Sequence, residues 1–421
     1  MKYLFFIFLA TLSATAQTKK VTTKAPNIIY ILADDLGYGD LKCLNPDSKI
    51  PTPNLDNMAK NGIKLTDAHT SSAVCTPTRY GILTGRYNWR SSLKSSVLSG
   101  YSKSLIKQEQ TTIAEMLKTQ GYSTAYIGKW HLGWDWKVIK AENKLDIDNL
   151  NATPEVDFSI PVKNGPSTHG FDYSFGFSGS LDMAPYVYVE NDKATMVPSK
   201  TTVSVDEKGF WRKGLTSDDF SHVNVLQDLT DKAIDYIGRK AKDDSPFFLY
   251  FPLPAPHTPI LPTTEFLGKS NTNMYGDFVM QVDDVVRQIR ETLKKQGISE
   301  NTLLVFVSDN GCSPKADFKE LATVEHNPSY VFRGHKADIF EGGHRVPFII
   351  EWPEKVRKNT SSNKTICTTD FFATCADIVG YKIQDAEAVD SYSMLSIITG
   401  KSDETIREYT VHHSINGSFA I

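Results

Sequence analysis

Short, continuous apolar runs alternate along this chain with longer amphipathic segments, and this alternation is the feature that most constrains its fold. The runs typical of fully buried strands cover residues 27–33, 123–127, 246–251, 302–308 and 347–352. Helical patterns cover residues 111–120, 220–240 and 277–296. Gly121 and Gly297 directly follow two of these patterns, where a helix commonly stops. The alternation predicts an α/β fold with a mostly parallel central sheet sandwiched by helices.

The domain organisation is constrained by length and by the less regular segments. A chain of 421 residues is long enough for one large core or for two unequal domains. Residues 137–166 and 191–214 are polar and lack a clear period, which predicts long surface excursions. Residues 407–413 and 418–421 have the character of strands in an element that the chain does not finish. We therefore predict a catalytic domain at 17–400 and the start of an incomplete C-terminal subdomain at 401–421.

The N-terminus has the features of a targeting signal. A short positive end precedes the apolar residues 3–10, and Ala14-Thr15-Ala16 forms a small-x-small cleavage site. This pattern predicts a signal peptide at residues 1–16 and an exported protein, either periplasmic or secreted. A buried N-terminal helix or a membrane anchor is the alternative, but the apolar run is shorter than the roughly 20 residues that a membrane span needs. We find no later apolar segment of that length and expect no stable membrane insertion.

The overall charge indicates which partners to expect. A net charge of -3 provides no broad positive field, so we expect no nucleic-acid partner. If the substrate is an anion, the positive charge that binds it must be concentrated in a local pocket.

Polar side chains follow four of the five predicted strands, close to where each strand ends. In chain order they are Asp34, Asp35, Lys129, His131, His257, Asp309 and Asn310. The carboxyl ends of parallel strands lie at one edge of a sheet, where open α/β sheets bind their ligands. Four strands therefore bring acidic, cationic and titratable groups to a single predicted site.

The acidic members of this set suggest a metal. Asp34, Asp35 and Asp309 offer carboxylates and Asn310 offers an amide oxygen, and such hard donors suit Ca²⁺ or Mg²⁺. Each acid could instead cap the helix that follows it. Metal binding is favoured because the residues share one edge of the sheet with the other polar groups.

The basic groups have ordinary alternatives when each is taken alone. Lys129 and His131 would lie on one side of an extended segment, although a lone histidine at a strand end is often simply packed. His257 lies in a loop stiffened by prolines, which is also the character of a turn. Lys336 lies in another loop, where a lysine is ordinarily solvated. The functional interpretation of these three groups therefore depends on their lying together with the other polar residues of the predicted site.

The cysteines contain one with informative neighbours. The five are Cys43, Cys75, Cys312, Cys367 and Cys375. An odd number leaves at least one thiol unpaired, and whether Cys367 and Cys375 form a disulfide stays open. Pro77 suits the first turn of a helix, which would start beside Cys75 and place Arg79 one turn further on. A helix N-terminus and a guanidinium suit a nucleophile that attacks an anion, whereas the alternative is a free buried cysteine.

The stretch from Cys75 to Arg79, continued by Leu83-Thr84-Gly85-Arg86, resembles the signature of the formylglycine-dependent (type I) sulfatases. The resemblance extends in family order over residues 26–39, 128–133, 257–259, 308–311 and 334–347. It implies the alkaline phosphatase-like fold with a small C-terminal antiparallel α+β subdomain, which is truncated here. It also implies that a maturation enzyme oxidises Cys75 to formylglycine (3-oxoalanine).

The resemblance assigns a role to each candidate residue. One Ca²⁺ would be bound by Asp34, Asp35, Asp309, Asn310 and the modified Cys75. Arg79 and Lys129 would hold the formylglycine hydrate, and His131 would act on its second hydroxyl. His257 and Lys336 would contact the sulfate and the leaving oxygen. Ser180 falls where related enzymes place a further sulfate contact.

The implied activity is a sulfuric ester hydrolase whose partner is a sulfated carbohydrate, for which we expect a galactose or N-acetylgalactosamine sulfate. One alternative is a phosphodiester or phosphonate monoester hydrolase of the same superfamily. The single set of metal ligands and the Lys336 loop argue against it. The other alternative is a catalytically dead glycan-binding relative, which predicts a broken site, whereas every catalytic position of the motif is filled.

Overall fold

The computed structural model describes residues 24–140, 150, 151, 153–402 and 404–421. The predicted signal peptide lies outside these residues. The α-helices are α1 Pro53–Asn61, α2 Cys75–Thr84, α3 Ile113–Thr119, α4 Val225–Lys240, α5 Met274–Lys295, α6 Phe318–Thr323, α7 Glu341–His344, α8 Phe371–Val379 and α9 Leu395–Ile398.

The strands in the first half of the chain are β1 Asn27–Ala33, β2 Ile63–Leu65, β3 Ala68–His69, β4 Ser123–Lys129, β5 Val138–Lys140, β6 Glu155–Val156, β7 Tyr173–Phe177, β8 Val189–Glu190 and β9 Lys193–Ala194. Those in the second half are β10 Lys200–Ser204, β11 Trp211–Thr216, β12 Phe247–Pro252, β13 Thr302–Ser308, β14 Phe348–Glu351, β15 Thr360–Ser362, β16 Ile366–Cys367, β17 His412–His413 and β18 Phe419–Ala420.

A ten-stranded sheet in the order β15-β2-β14-β13-β1-β12-β4-β7-β8-β9 forms the centre of the fold. Its five middle strands, β13, β1, β12, β4 and β7, are all parallel. Antiparallel neighbours extend the sheet on both sides: β14 pairs with β13, and β8 pairs with β7. The predicted α/β class with a mostly parallel central sheet is confirmed.

The middle strands are apolar throughout because both of their faces are covered. Every residue of β12 and β13 is buried. Helices α1, α4 and α5 pack in one group and α2, α3 and α8 in another. On α5 the apolar residues that give segment 277–296 its helical period are buried, namely Val282, Val285, Val286, Ile289 and Leu293. The helical period in the sequence thus identified the face that packs inward.

Some element boundaries differ from the predictions. Helix α4 begins five residues later than expected, at Val225, after a turn. The polar segment 191–214 is not an irregular excursion, because β9, β10 and most of β11 lie within it. Strand β10 alternates between exposed and half-buried residues, so it has no apolar period for sequence analysis to detect. Segment 137–166 contains the short pair β5–β6.

The last residues form the antiparallel pair β17–β18, within the stretches predicted to be strands. They are tied to the rest of the fold by a bridge between Ser72 and His413 and by a buried ion pair between Arg407 and Asp370. The domain boundary at residue 401 stays a prediction. All five cysteines lie among the described residues, and each is a free thiol, so Cys367 and Cys375 are not paired. Within the described part of the chain, no helix has the length and apolar character needed to cross a membrane.

Candidate active site

The predicted site residues meet at the carboxyl edge of the middle strands. Asp34 and Asp35 directly follow β1, and Asp309 directly follows β13. Lys129 is the last residue of β4, two residues further along the strand than predicted. The backbone reaches this point through Gly128, whose φ is 140° and where a Cβ would lie 1.9 Å from the carbonyl oxygen of Pro252. Only glycine allows β4 and β12 to approach so closely beside the site.

An acidic cluster occupies the centre of the edge. Asp34, Asp35, Cys75 and His257 each contribute one potential ligand atom, and these atoms lie within 4.8 Å of one another. The amide of Asn310 donates to Asp35 Oδ1 at 2.7 Å. The backbone N–H of Asp35 donates to Asp309 Oδ1 at 3.2 Å. Asp35 itself adopts a left-handed conformation with φ 66°, which aspartate tolerates better than most residues.

Two oxygen atoms of this cluster lack hydrogen bonds. Asp34 Oδ1 and Asn310 Oδ1 are buried and have no hydrogen-bond partner among the residues that the structure describes. Unpartnered buried acceptors are rare and call for an explanation. Buried carboxylate and amide oxygens that accept no hydrogen bond suit a hard divalent cation such as Ca²⁺ or Mg²⁺. The donor set therefore fits a metal of this kind.

Two cationic side chains form ion pairs with the acids. The Arg79 guanidinium donates from Nη2 and Nε to Asp309 Oδ2 at 2.7 and 3.1 Å, and from Nη1 to the carbonyl oxygen of Lys129 at 2.8 Å. Lys129 Nζ donates to Asp34 Oδ2 at 2.6 Å and to Ser180 Oγ at 3.1 Å. Arg79 and Lys129 are fully buried. Such pairs hold one another in place because an unpaired charge would be strongly destabilised here.

Burial and these charges shift the pKa values in the site. Burial alone would raise the pKa of Asp34, but Lys129, His257 and Arg79 together hold it well below its usual range. Burial and the neighbouring charge of Asp34 raise the pKa of Asp309. Burial raises the pKa of the Cys75 thiol to about 12, despite the nearby Lys129 and Lys336.

Cys75 is the first residue of α2, as expected, and Pro77 and Arg79 lie in the same helix. At neutral pH its thiol stays protonated because burial outweighs the nearby positive charges. The helix end and the cations therefore do not activate the unmodified thiol, contrary to what the sequence neighbours alone suggested.

His131 has one free ring nitrogen. Its Nε2 lies 2.8 Å from the carbonyl oxygen of Leu98 and so carries the proton. Nδ1 is buried without a hydrogen-bond partner in the described residues. Burial, with help from Lys129 and Arg79, holds the pKa of His131 well below its usual value. The ring is thus neutral, and Nδ1 is its free acceptor. The expected extended backbone is wrong here, because His131 has a φ of 54°.

His257, Lys336 and Ser180 lie at the more open side of the site. Lys336 Nζ donates to Asp35 Oδ2 at 2.8 Å, and its side chain is 16% exposed. His257 Nε2 lies 3.6 Å from the same oxygen. Ser180 Oγ is 3.4 Å from the His257 ring nitrogens. Ser180 therefore lies between Lys129 and His257.

Sequence reasoning missed Asp182. One of its carboxylate oxygens pairs with Arg212 on β11, while Oδ1 is buried and has no partner in the described chain. Burial alone would raise the pKa of Asp182, but His257 and Arg212 hold it below its usual value. No local pattern signals this acid, because Arg212 reaches it from a hairpin that is distant in sequence.

A cluster of three buried histidines was also missed. His69, His344 and His412 each bring one ring nitrogen within 4.8 Å of the others. The His344 and His412 rings are stacked, with centroids 3.7 Å apart and an interplanar angle of 4°. Because the lone pairs of stacked rings run parallel, they do not converge on one ion. His412 Nδ1 donates instead to the carbonyl oxygen of Thr70 at 2.8 Å, so the cluster supports the segment that leads to Cys75.

The sequence and the fold of this chain are similar to those of known sulfatases. The family model described as Sulfatase matches residues 26–381. The N-acetylgalactosamine-6-O-sulfatase of Bacteroides thetaiotaomicron is 32% identical over 434 residues, covering 95% of this chain and 81% of the relative. The N-acetylgalactosamine-6-sulfatase of Mus musculus is 29% identical, covering 92% of this chain and 69% of the relative. A solved 6S-sulf structure from a glycosaminoglycan-metabolising locus of B. thetaiotaomicron superposes with a TM-score of 0.83 at 31% identity, covering 94% of this chain and 86% of that one.

Proposed function

Because this chain belongs to the sulfatase family and is a sulfuric ester hydrolase, we propose that it removes sulfate from a sulfated carbohydrate through formylglycine made from Cys75. One observation carries the proposal. Cys75 begins a helix at the edge where Asp34, Asp35 and His257 converge, with Lys129 and Lys336 beside it. A sulfate ester needs a nucleophile, cations for its oxygens and a proton source, and this edge contains groups for all three.

The proposed metal is one Ca²⁺. Its ligands would be Asp34, Asp35, Asp309, Asn310 and the modified Cys75. Asp34 Oδ1 and Asn310 Oδ1 accept no hydrogen bond in the described residues, which supports this assignment because a cation would satisfy both. When bound, Ca²⁺ would offset negative charge on the sulfuryl oxygens and the nucleophile.

The proposed nucleophile requires a maturation enzyme that oxidises Cys75. Formylglycine supplies, as its hydrate, one hydroxyl that attacks sulfur and a second hydroxyl whose deprotonation expels sulfate. Cys75 is only 2% exposed, so oxidation has to occur before the chain folds or in a locally opened state. Export through a signal peptide at residues 1–16 belongs to the same proposal.

The remaining residues act by binding and by moving protons. Arg79 and Lys129 orient the hydroxyl groups at position 75, and Lys129 and Ser180 bind a sulfuryl oxygen. His257 or Lys336, on the open side, donates a proton to the departing alcohol. His131 accepts a proton at Nδ1 from the second hydroxyl, and the carbonyl oxygen of Leu98 fixes the required tautomer.

We propose an N-acetylgalactosamine or galactose sulfate as the substrate, with the two N-acetylgalactosamine-6-sulfatases above as support. The test uses protein produced with a formylglycine-generating enzyme and saturated with Ca²⁺, and mass spectrometry of the Cys75 peptide verifies the modification. Release of sulfate is measured from these sugars and from nitrophenyl sulfate, alongside a nitrophenyl phosphonate ester.

The modified protein should release sulfate from at least one sugar, and Cys75→Ala should not. Cys43→Ala is the matched control, because Cys43 is also a free cysteine but lies outside the site. Faster turnover of the phosphonate ester than of any sulfate would favour the phosphonate hydrolase alternative. Sugar binding without turnover by modified protein would favour the dead relative.

A further inference from the structure

The turn at residues 413–417 contacts three loops that surround the active site. The backbone N–H of Ala73 donates to the carbonyl oxygen of His413 at 3.0 Å. The N–H of Ile415 donates to the carbonyl oxygen of Ala337 at 3.1 Å, and the carbonyl oxygen of Ile415 accepts from Ser96 at 2.7 Å. Each of these loops contains a residue of the site or, in the case of Leu98, a residue that hydrogen-bonds to one. The turn therefore lies at the edge of the site.

The side chain of Ile415 belongs to an apolar cluster that is separate from the main core. Val74, Val97 and Met183 form its buried part, and Leu150, Ala337 and Ile415 pack against them while staying partly exposed. All six side chains are apolar and none is aromatic, so the exposed part of the cluster is an apolar surface without an aromatic ring. We call these six residues the aliphatic wall.

The aliphatic wall borders the catalytic groups. Val74 precedes Cys75, and Ala337 follows Lys336. Val97 precedes Leu98, whose carbonyl oxygen holds His131. The exposed part of the wall includes Ala337, the neighbour of Lys336 on the open side of the site. The aliphatic wall is therefore available to the part of a substrate that lies beside Lys336.

A polar group with an unused acceptor lies next to the aliphatic wall. Asp182 precedes Met183, and its Oδ1 is buried without a partner in the described residues. Its other oxygen is fixed by Arg212, which leaves Oδ1 as the acceptor for a ligand. A buried acceptor beside an aliphatic surface matches a group that carries an N–H and a methyl.

We propose that Asp182 and the aliphatic wall recognise the acetamido group of an N-acetylhexosamine sulfate, and that Ile415 is a specificity-determining residue. This inference rests on the carbohydrate sulfatase activity proposed above. Asp182 Oδ1 accepts the amide N–H, and Ile415, whose side chain is partly exposed, packs against the methyl. A sugar that carries a hydroxyl in place of the acetamido group makes no methyl contact with the aliphatic wall.

The test compares kcat/KM for N-acetylgalactosamine 6-sulfate and galactose 6-sulfate, which differ by the acetamido group. The wild type prefers the acetamido sugar. Ile415→Thr keeps the branched shape and the backbone hydrogen bonds, and it lowers the preference roughly threefold to tenfold, mainly through KM. Asp182→Asn also lowers the preference, because one carboxylate oxygen is replaced by a donor. Val411→Thr, in the same segment but outside the wall, leaves the preference unchanged.

Thermal unfolding of each variant verifies that it is folded. Equal kcat/KM values for the two sugars in the wild type overturn the inference. A preference that Ile415→Thr leaves within about twofold of the wild type overturns it too. These results differ from a failure of the proposed function itself, in which modified wild-type protein cleaves nitrophenyl sulfate but releases sulfate from neither sugar.

Discussion

Five histidines outside the proposed chemistry are buried in the described chain as neutral rings, and they predict how the stability of this protein depends on pH. They are His169, His222, His344, His412 and His413. Burial lowers the pKa of His169 and of His222 to about 4, and that of His412 to about 3. His222 stacks on Trp211 with ring centroids 4.1 Å apart, and its Nε2 lacks a partner in the described residues. An unfolded chain exposes each ring to water, where its pKa is about 6.5.

The direction in which stability changes with pH follows from these lowered pKa values. Between about pH 6.5 and pH 4 the unfolded chain binds protons that the folded protein does not, so the free energy of unfolding falls as the pH falls. From pH 7.5 to 5.0, the burial of His169, His222 and His412 lowers the free energy of unfolding by about 2 kcal/mol each, or about 6 kcal/mol together. The lowered pKa values of His344 and His413 act in the same direction. Burial raises the pKa of Asp283 to about 6, which has the opposite effect. It returns about 1 kcal/mol over the same range, so His169, His222, His412 and Asp283 contribute a net loss of about 5 kcal/mol.

Urea unfolding at pH 7.5 and 5.0, with ionic strength and Ca²⁺ held constant, measures the total loss, and variants at single positions isolate the share of each group. His222→Gln cannot titrate and should reduce the pH-dependent loss by about 2 kcal/mol, whatever it does to stability at pH 7.5. His222→Phe is the matched control, since it differs in size and polarity but should reduce the loss equally. If both variants lose as much stability as the wild type between the two pH values, the assignment of His222 as a buried neutral ring is refuted.

Arg407→Met leaves Asp370 buried without its partner and should lower the free energy of unfolding by about 3 to 5 kcal/mol in urea. His131→Ala removes the proposed proton acceptor and should lower kcat about 10²- to 10⁴-fold in steady-state assays, with a smaller change in KM. Removing divalent ions with EGTA should lower the thermal midpoint of the wild type, and Ca²⁺ should restore it. In Asn310→Ala this response should be weaker, and an equal response would contradict the proposed ligand set.

The parts of the fold that could be predicted from sequence are those where local pattern and burial agree. Strands β12 and β13 are buried at every position, so they stand out as continuous apolar runs. Asp34 and Asp309 could be placed near one another because parallel strands end at the same edge. The hairpin β10–β11 was missed, because pairing along an exposed sheet leaves little apolar signal.

Contacts between distant segments could not be predicted either. The conformation of His131 depends on a loop that supplies the carbonyl oxygen of Leu98. Arg212 reaches Asp182 from another hairpin, and Ile415 reaches Ala337 from the last strand pair. Each contact depends on how separate segments pack, and one sequence without its fold contains no period or spacing that reports it.

The charges at the site also bear on which ester it hydrolyses. Asp34, Asp35 and Asp309 pair with Lys129, Lys336 and Arg79, so three acids and three bases balance in the site. A divalent cation added to this set leaves two positive charges. A sulfate ester contributes one negative charge and an ionised nucleophile contributes another, so the reacting state is neutral. Uncompensated charge is expensive in a buried site, and a phosphate monoester dianion would leave one negative charge in excess. The charge balance thus selects against phosphate monoesters, whereas a phosphonate monoester, also a monoanion, has to be distinguished by the geometry around its phosphorus atom.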